Sequence, residues 1–145
     1  MSNTILPADW RERIWVVVAA YNEGTRVGKT IAGLREKGFA NIVVTDDGSR
    51  DDTLTHILQA GAWGLRHLIN LGQGAALQTG IRFALRHGAE AIVTFDADGQ
   101  HLPEEIESVV GPVLAGEVDV TLGSRFLGSA PNIPAMRRLV LKGGV

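Results

Sequence analysis

Two carboxylates in the second half of the chain have a spacing that suits metal chemistry. Asp96 and Asp98 stand one residue apart, and Gln100 follows at the next alternate position. Oxygen-bearing side chains in this pattern suit a hard divalent cation such as Mg²⁺ or Mn²⁺. Such an ion typically takes one or two carboxylates and completes its coordination with water and substrate phosphate oxygens. The spacing therefore predicts a metal site, with a plain polar turn as the alternative.

An apolar run precedes these carboxylates and would position them. Residues 91–93 read Ala-Ile-Val, which fits a buried strand. Pro103 then begins a helical pattern, at a position where the missing N–H of proline has no helical partner to lose. We therefore expect Asp96 and Asp98 in a tight loop at the carboxyl end of a strand, which is where ligands bind in open α/β sheets.

Apolar runs and helical spacings alternate along the rest of the chain. Strands are predicted over residues 14–20, 41–45, 65–69, 91–93 and 118–122, and helices over 27–37, 53–60, 75–87 and 103–114. The predicted buried positions of the third helix are Leu77, Ile81, Phe83 and Leu85, and residues 136–141 begin another helical pattern. This order predicts a mostly parallel α/β sheet with helices on both faces, because right-handed crossovers join such strands.

Polar residues follow four of the predicted strands, and parallel strands would bring them to one edge. The clusters are Tyr21-Asn22-Glu23, Asp46-Asp47, Asp96 with Asp98, and Ser124-Arg125. If the first and fourth strands are neighbours, the clusters converge on the crevice at the switch point of the sheet. Residues 46–49 also fit a simple turn in which Ser49 caps the next helix. His56, His67 and His87 are assigned no role.

The bulk composition excludes several classes of protein. The 145 residues make one domain at most, with residues 1–13 as a polar lead-in and 14–145 as the folded unit. No cysteine is present, which rules out disulfides, iron–sulfur clusters and thiolate zinc sites. The net charge of −2 provides no electrostatic footprint for nucleic acid. No apolar run approaches the roughly 20 residues of a membrane span.

Two glycine motifs that bind nucleotide phosphates are incomplete. Residues 72–74 begin a dinucleotide fingerprint or form a tight turn, but Leu77 stands where the fingerprint needs its third glycine. A phosphate loop would use residues 28–30, but Glu23 occupies its first glycine position and would repel phosphates. This alternative, a P-loop hydrolase, would make Lys29 essential. A nucleotide diphosphate bound through a metal fits the residues better.

Five motifs in a fixed order resemble the family 2 glycosyltransferases, and most closely the dolichol- or polyprenyl-phosphate sugar transferases. They lie at residues 16–23 (VVVAAYNE), 46–49 (DDGS), 70–77 (NLGQGAAL), 96–101 (DADGQH) and 123–126 (GSRF). The resemblance covers nearly the whole chain from Ile14 onward. It implies the GT-A fold and an inverting transfer of sugar from a nucleotide diphosphate donor.

The resemblance also implies roles for matching positions. The residues implied to bind the nucleotide are Ala19, Tyr21, Glu23, Asp47, Asp96 and Ala97. Asp96, Asp98 and Gln100 would hold Mg²⁺ or Mn²⁺ on the diphosphate, and Asp98 and Arg125 would act in catalysis. Ala19 stands where many relatives carry proline, which is a small change beside the base pocket.

Partners and location follow from the same resemblance. It implies a donor of the GDP-mannose or UDP-glucose type and a polyprenyl phosphate acceptor, at the inner face of the cytoplasmic membrane. Because relatives continue beyond the position of Val145, the chain is expected to be a donor-binding portion truncated at its C-terminus, and a non-catalytic donor-binding module is the alternative function. Arg137, Arg138 and Lys142 lie among apolar residues, which suits either a membrane surface or a solvated helix face.

Overall fold

The computed structural model describes residues 5–98, 103–123 and 138–142. The strands in this part of the chain are β1 (Ile14–Ala20), β2 (Ile42–Asp46), β3 (Trp63–Arg66), β4 (Ala91–Asp96), β5 (Val120–Gly123) and β6 (Arg138–Lys142). The helices are α1 (Trp10–Arg13), α2 (Thr25–Glu36), α3 (Thr53–Gln59), α4 (Gln73–Arg86) and α5 (Ile106–Leu114), with a 3₁₀ turn at Pro103–Glu105. The predicted alternation of strands and helices is thus confirmed, and the bounds of β1 coincide with the predicted ones.

The strands form one sheet whose order creates a switch point. Their order is β3-β2-β1-β4-β6-β5. The first four strands run parallel, and β6 runs antiparallel to both β4 and β5. The chain proceeds from β1 outward to β3 on one side, while β4 lies on the other side of β1. The carboxyl ends of β1 and β4 therefore flank the crevice in which open α/β sheets bind ligands.

The helical pattern predicted over residues 136–141 is wrong for the portion that the structure describes. Residues 138–142 form β6, in which Leu141 pairs with Ile92 and Val140 with Val93 of β4. A short apolar run has no periodicity that separates a strand from a buried helical segment. The free edge of β4, which lies far away in sequence, makes this segment a strand.

Two apolar layers cover the sheet, and the alternation of β1 assigns its side chains to them. Val16 and Val18 face α2, α3 and α5, whereas Trp15 and Val17 face α4. Both sets are buried, as expected for a parallel strand with helices on each face. The fold is thereby a mostly parallel sheet with helices on both faces, as predicted.

The fully buried positions of helix α4 are small residues, and the large ones that its sequence suggests lie at the margin of the contact. Ala76, Gly80 and Ala84 are the buried positions of α4. Leu77, Ile81 and Phe83 are only partly buried against the sheet, and the burial predicted for Leu85 is wrong because its side chain is 44% exposed. An added Cβ at Gly80 would lie 2.6 Å from Val17 Cγ1. The helix therefore approaches β1 more closely than a larger side chain would permit.

Replacing Gly80 with alanine is expected to destabilise the domain by about 1–3 kcal/mol, because the new methyl group overpacks a filled contact. Gly74→Ala is the matched control on the same helix, since no atom lies within 4 Å of its added Cβ. That control is expected to be neutral or slightly stabilising, because alanine favours helix over glycine. Urea unfolding of both variants measures the difference, and equal effects would contradict the close approach of α4.

Candidate functional site

A pocket lies at the carboxyl ends of β1 and β2, beside the start of α4. It has a volume of about 350 Å³, and its lining residues are Ala19, Ala20, Tyr21, Glu23, Asp47, Asn70, Gly72 and Gln73. Four of the residues that the sequence singled out, Ala19, Tyr21, Glu23 and Asp47, thus surround one space. Since β1 borders the switch point of the sheet, the pocket occupies the expected place for a ligand.

The loop after β1 is tied directly to the loop after β2. The N–H of Asn22 donates to Ser49 Oγ at 2.9 Å, and the N–H of Arg50 donates to Asn22 Oδ1 at 2.9 Å. Asn22 adopts a left-handed backbone with φ of 50°, which asparagine tolerates better than most residues. Ser49 therefore joins two loops, and the prediction that it caps a helix is wrong, because α3 begins only at Thr53.

Thr53 provides the second tie between these loops. Its buried Oγ1 accepts hydrogen bonds from the N–H groups of Glu23 and Gly24, each at 3.0 Å. The same hydroxyl donates to the Asp51 carboxylate, and this bond is the main reason that the pKa of Asp51 lies below its usual value. The backbone that carries Glu23 into the pocket is therefore anchored to the start of α3.

The Glu23 carboxylate has one cationic neighbour among the described residues. Arg26 Nη2 lies 3.1 Å from Glu23 Oε2, but without the alignment of a hydrogen bond. Oε2 is buried and accepts no hydrogen bond within the described part of the chain. A buried oxygen of this kind has unused capacity to accept a hydrogen bond.

The two adjacent aspartates at the end of β2, Asp46 and Asp47, make different contacts. Asp46 is buried, and its Oδ1 accepts the N–H of Ser49 at 3.0 Å, which closes the turn. Asp47 Oδ1 accepts the N–H of Leu71 at 2.9 Å and faces His67 Nδ1 at 2.8 Å. Asp47 Oδ2 accepts the N–H of Gly72 at 2.9 Å. Asp47 therefore holds the strand-to-helix loop that forms the far wall of the pocket.

Hydrogen bonds set the charge of Asp47. Burial of the carboxyl group raises its pKa, but the donors from Leu71, His67 and Gly72 together outweigh burial and bring the pKa below its usual value. Asp47 is therefore ionised at neutral pH. A carboxylate offers about four acceptor positions. The three bonds named above leave about one of these, on Oδ2.

The lowered pKa of Asp47 predicts a stability change on the acid side. A carboxyl group whose folded pKa is depressed stabilises the fold above its unfolded pKa, near pH 4, and loses this effect as the pH falls through the folded value. The deficit of Asp47→Asn in unfolding free energy is therefore expected to shrink as the pH drops from 7 to below about 4. Urea titrations at several pH values check this, with exposed Asp119→Asn as the control. A deficit that does not change with pH would contradict the prediction.

The first of the predicted metal ligands, Asp96, lies on the neighbouring strand β4. Asp96 ends β4 in register with Ala19 of β1, and its Oδ1 lies 3.4 Å from Nε2 of the pocket residue Gln73. Ala97 is buried, and its carbonyl accepts a 3.3 Å hydrogen bond from the hydroxyl of Thr30. Asp96 is thus at the edge of the pocket, whereas the backbone of Ala97 contacts α2 and does not line the pocket.

Asp98 faces a different space from Asp96. It borders a second cavity of about 280 Å³, whose other lining residues are Arg26, Lys29, Thr30, Gly33, Phe95 and Pro103. This cavity lies on the α2 side of the sheet. Gln100 and Arg125, the remaining predicted site residues, lie outside the described residues.

The carboxylates suit a divalent cation that binds mainly through its ligand. Asp96 and Asp98 are both partly accessible and supply hard oxygen donors. Within residues 5–98, 103–123 and 138–142, no group of three or more His, Asp or Glu side chains could by itself hold a metal. Two carboxylates are nevertheless enough for Mg²⁺ or Mn²⁺ when substrate phosphates and water complete the coordination. The donor types of Asp96 and Asp98 therefore fit this type of ion, while the two side chains border different spaces.

Sequence reasoning missed the pocket residues Asn70 and Gln73, and also His67, which lies behind the pocket wall. The third strand was predicted over residues 65–69, which would place His67 inside it, but β3 ends at Arg66. His67 therefore lies just past a strand end, at the same edge of the sheet as the other polar clusters. Its ring contacts Asp47 and Thr79. If the third strand had been predicted to end at Arg66, His67 would have been grouped with the polar clusters that follow the other strands.

The phosphate-loop alternative finds no support in the fold. Residues 28–30 lie within α2, which begins at Thr25, and not at the loop that precedes it. Lys29 therefore projects from the body of a helix and not from a glycine-rich turn, where a phosphate loop needs its lysine.

Comparison with known proteins identifies the family. Residues 15–140 match the family described as glycosyl transferase family 2. The chain belongs to this family. The assignment as a glycosyltransferase domain is thereby confirmed, and solved glycosyltransferase structures of the same fold confirm the GT-A architecture.

Two curated relatives act on lipid phosphates, according to their names. Over 130 residues the domain is 31% identical to a UDP-N-acetylglucosamine–dolichyl-phosphate N-acetylglucosaminyltransferase of Methanococcus voltae, covering 78% of this chain and 52% of that protein. Over 139 residues it is 34% identical to a polyprenol monophosphomannose synthase of Mycolicibacterium smegmatis, covering 90% and 52%. The chain thus spans about half the length of the curated relatives that it matches.

A solved structure with ligands shares the fold. Glucosyl-3-phosphoglycerate synthase of Mycobacterium tuberculosis, in complex with Mn²⁺, UDP and glucosyl-3-phosphoglycerate, matches with a TM-score of 0.59 and 26% identity over 74% of this chain and 42% of that one. No helix in the described ranges of this glycosyltransferase domain has the length and apolarity that crossing a bilayer requires.

Proposed function

We propose that this domain binds a nucleotide diphosphate sugar, of the GDP-mannose or UDP-glucose type, for an inverting transfer to polyprenyl phosphate. The observation that carries the proposal is the pocket in which Tyr21, Glu23 and Asp47 meet, with Asp96 at its edge. The names of the two lipid-phosphate relatives support this acceptor. A peripheral site at the cytoplasmic face of the membrane follows as part of the same proposal.

The pocket residues suit the nucleoside. The Tyr21 ring is 43% exposed and is available to pack against a base. Glu23 Oε2 and the remaining acceptor position of Asp47 can receive hydrogen bonds from base N–H groups or ribose hydroxyls. Ala19 lies beside them and leaves room for the base. This set favours a ligand rich in hydrogen-bond donors.

The proposed position of the diphosphate is beside Asp96, which ends β4, and Asp98, which follows it. Asp96, Asp98 and Gln100 would hold Mg²⁺ or Mn²⁺, which when bound offsets the negative charge that develops on the departing diphosphate. The known Mn²⁺ complex of the mycobacterial synthase supports a divalent ion of this kind. Arg125 would add a fixed positive charge at the same phosphates or at the acceptor.

The acceptor chemistry places few demands on the protein. A phosphate monoester is already ionised near neutral pH, so its oxygen needs no strong general base. That oxygen forms a bond to the anomeric carbon as the bond to the β-phosphate oxygen breaks, and the nucleoside diphosphate leaves with the bonding electrons. The task left to the domain is to orient the donor and stabilise the leaving group.

Calorimetric titration of UDP-glucose and GDP-mannose, each with and without Mn²⁺, tests the proposal. Metal-dependent binding of one donor would support it and would identify the base. Lys29→Ala tests the phosphate-loop alternative, and it should leave that affinity nearly unchanged because Lys29 is exposed on α2 and does not line the pocket of Tyr21, Glu23 and Asp47. Loss of nucleotide binding in Lys29→Ala would favour a phosphate-loop mechanism, and no binding of either donor by the wild-type chain would overturn the proposal.

A further inference from the structure

A histidine outside the pocket lining is bonded to the aspartate that shapes it. We propose that His67 is a positioning residue for donor binding, which holds Asp47 and, through it, the backbone of Leu71 and Gly72. The inference rests on the proposed function, because the pocket wall it concerns is the one assigned to the donor. His67 does not line the pocket itself and is not expected to touch the donor.

Asp47, His67 and Thr79 form a continuous row of hydrogen-bonded side chains. His67 Nδ1 lies 2.8 Å from Asp47 Oδ1, and His67 Nε2 lies 2.8 Å from Thr79 Oγ1. Since ionised Asp47 can only accept, Nδ1 must carry a proton. Thr79 Oγ1 also lies 3.0 Å from the Ala75 carbonyl, and its single hydroxyl proton serves either this carbonyl or Nε2. The row therefore links the end of β2, the segment after β3 and the second turn of α4.

Burial makes this row a rigid one. The side chains of His67 and Asp47 are only 11% and 4% exposed. Hydrogen bonds to an ionised group in such a setting are stronger than those in water, and a missing partner is costly. The Asp47 carboxylate is thus fixed in the one rotation that presents Oδ1 to Leu71 and Oδ2 to Gly72.

Other contacts hold the loop after β2 against the segment after β3 as far as Asn70, but not beyond it. The N–H of His67 donates to the Asp46 carbonyl at 2.9 Å, and Gly48 packs directly against the peptide between Ile69 and Asn70. Beyond Asn70 the backbone is held by Asp47 through Leu71 and Gly72. Gly72 and Gln73 line the pocket, and Gly72 precedes α4 with φ of 101°. His67 therefore controls the wall at the point where the donor would lie.

Two conservative variants separate the roles of the two ring nitrogens. Asparagine places its amide nitrogen near the position of Nδ1 and can still donate to Asp47, whereas glutamine reaches the position of Nε2 and loses that bond. We expect His67→Gln to weaken donor binding roughly tenfold to hundredfold, the usual range for a lost hydrogen bond to a charged group. His67→Asn should stay within about threefold of wild type.

His56→Asn is the matched control, because asparagine does not reach the position of Nε2 and therefore loses the bond that this histidine makes. His56 Nε2 lies 3.0 Å from Asp52 Oδ2, so this pair has the same chemistry but lies away from the pocket lining. Its replacement should leave donor affinity unchanged. The affinities come from titration of UDP-glucose or GDP-mannose with Mn²⁺, and thermal unfolding of each variant records any general loss of stability.

A second measurement keeps this inference separate from the proposed function. Amide hydrogen exchange at Leu71 and Gly72 reads the positioning directly and needs no donor. Faster exchange at these amides in His67→Gln, with recovery in His67→Asn, supports the role of His67 even if the wild-type chain binds neither donor and the proposed function fails. Unchanged exchange in His67→Gln, or equal donor affinity of His67→Gln and wild type, would overturn the inference.

Discussion

Asp98→Asn is expected to weaken Mn²⁺-dependent binding of the nucleotide sugar by about tenfold to hundredfold, the scale on which altered metal shells lose affinity. Asparagine keeps the shape of the side chain and removes its charge. Asp96→Asn should have a similar effect, because the proposed site assigns both carboxylates to the ion that is shared with the diphosphate. Calorimetric titration with and without Mn²⁺ measures the change.

The change in donor affinity of Asp98→Asn without metal distinguishes a metal-binding residue from one that only lines the pocket. Without metal, a carboxylate near the diphosphate repels it, so removal of the charge should leave the weak metal-free affinity unchanged or slightly higher. Glu107→Gln removes an exposed carboxylate from the first turn of α5 and serves as the control. Equal losses with and without Mn²⁺ would contradict a metal-binding role for Asp98.

Gly48→Ala is expected to cost about 2–5 kcal/mol of unfolding free energy, because conformational strain and overpacking add at this position. Gly48 has φ of +73°, where a side chain is strained in any surroundings. Its added Cβ would also lie 2.6 Å from the carbonyl carbon of Ile69 and 2.7 Å from the nitrogen of Asn70. These are backbone atoms, so rotation of a side chain cannot relieve the contact.

Gly88→Ala isolates the strain from the clash. Gly88 has φ of +83°, but no atom lies within 4 Å of its added Cβ, so this variant should lose only about 1–2 kcal/mol. Urea unfolding of both variants measures the difference between them. Gly48→Ala should also weaken donor binding, since it pushes the loop after β2 away from the segment that carries Asn70. Equal losses of stability in the two variants would show that the backbone contact at Gly48 is unimportant.

Local patterns were sufficient for much of the fold and for most of the pocket. The apolar run of β1 has a strand-like composition and a polar end, and both of its limits could be read from the sequence. Tyr21, Glu23 and Asp47 could be grouped in advance because each follows a predicted parallel strand, and the carboxyl ends of such strands share one edge. The five motifs then narrowed the chemistry to that of one family.

Contacts between distant segments were beyond the reach of these patterns. The apolar residues at 139–141 form β6 because the edge of β4 is there to pair with. Helix α4 buries Gly80 because Val17 of β1 faces it at close range. His67 is part of the site because β3 ends one residue earlier and the side chains of Asp47 and Thr79 lie on either side of its ring.

The sequence by itself therefore determined the order of the elements from β1 to β5, the edge at which the polar residues gather and the family. Each of these depends on the period of hydrophobic residues or on short motifs, which are properties of neighbouring residues. The tertiary structure alone decided which face of α4 is buried, how Asp47 is held and that Asp96 and Asp98 face different spaces. These depend on packing and hydrogen bonds between segments far apart in the chain, and such contacts exist only once the sheet has formed.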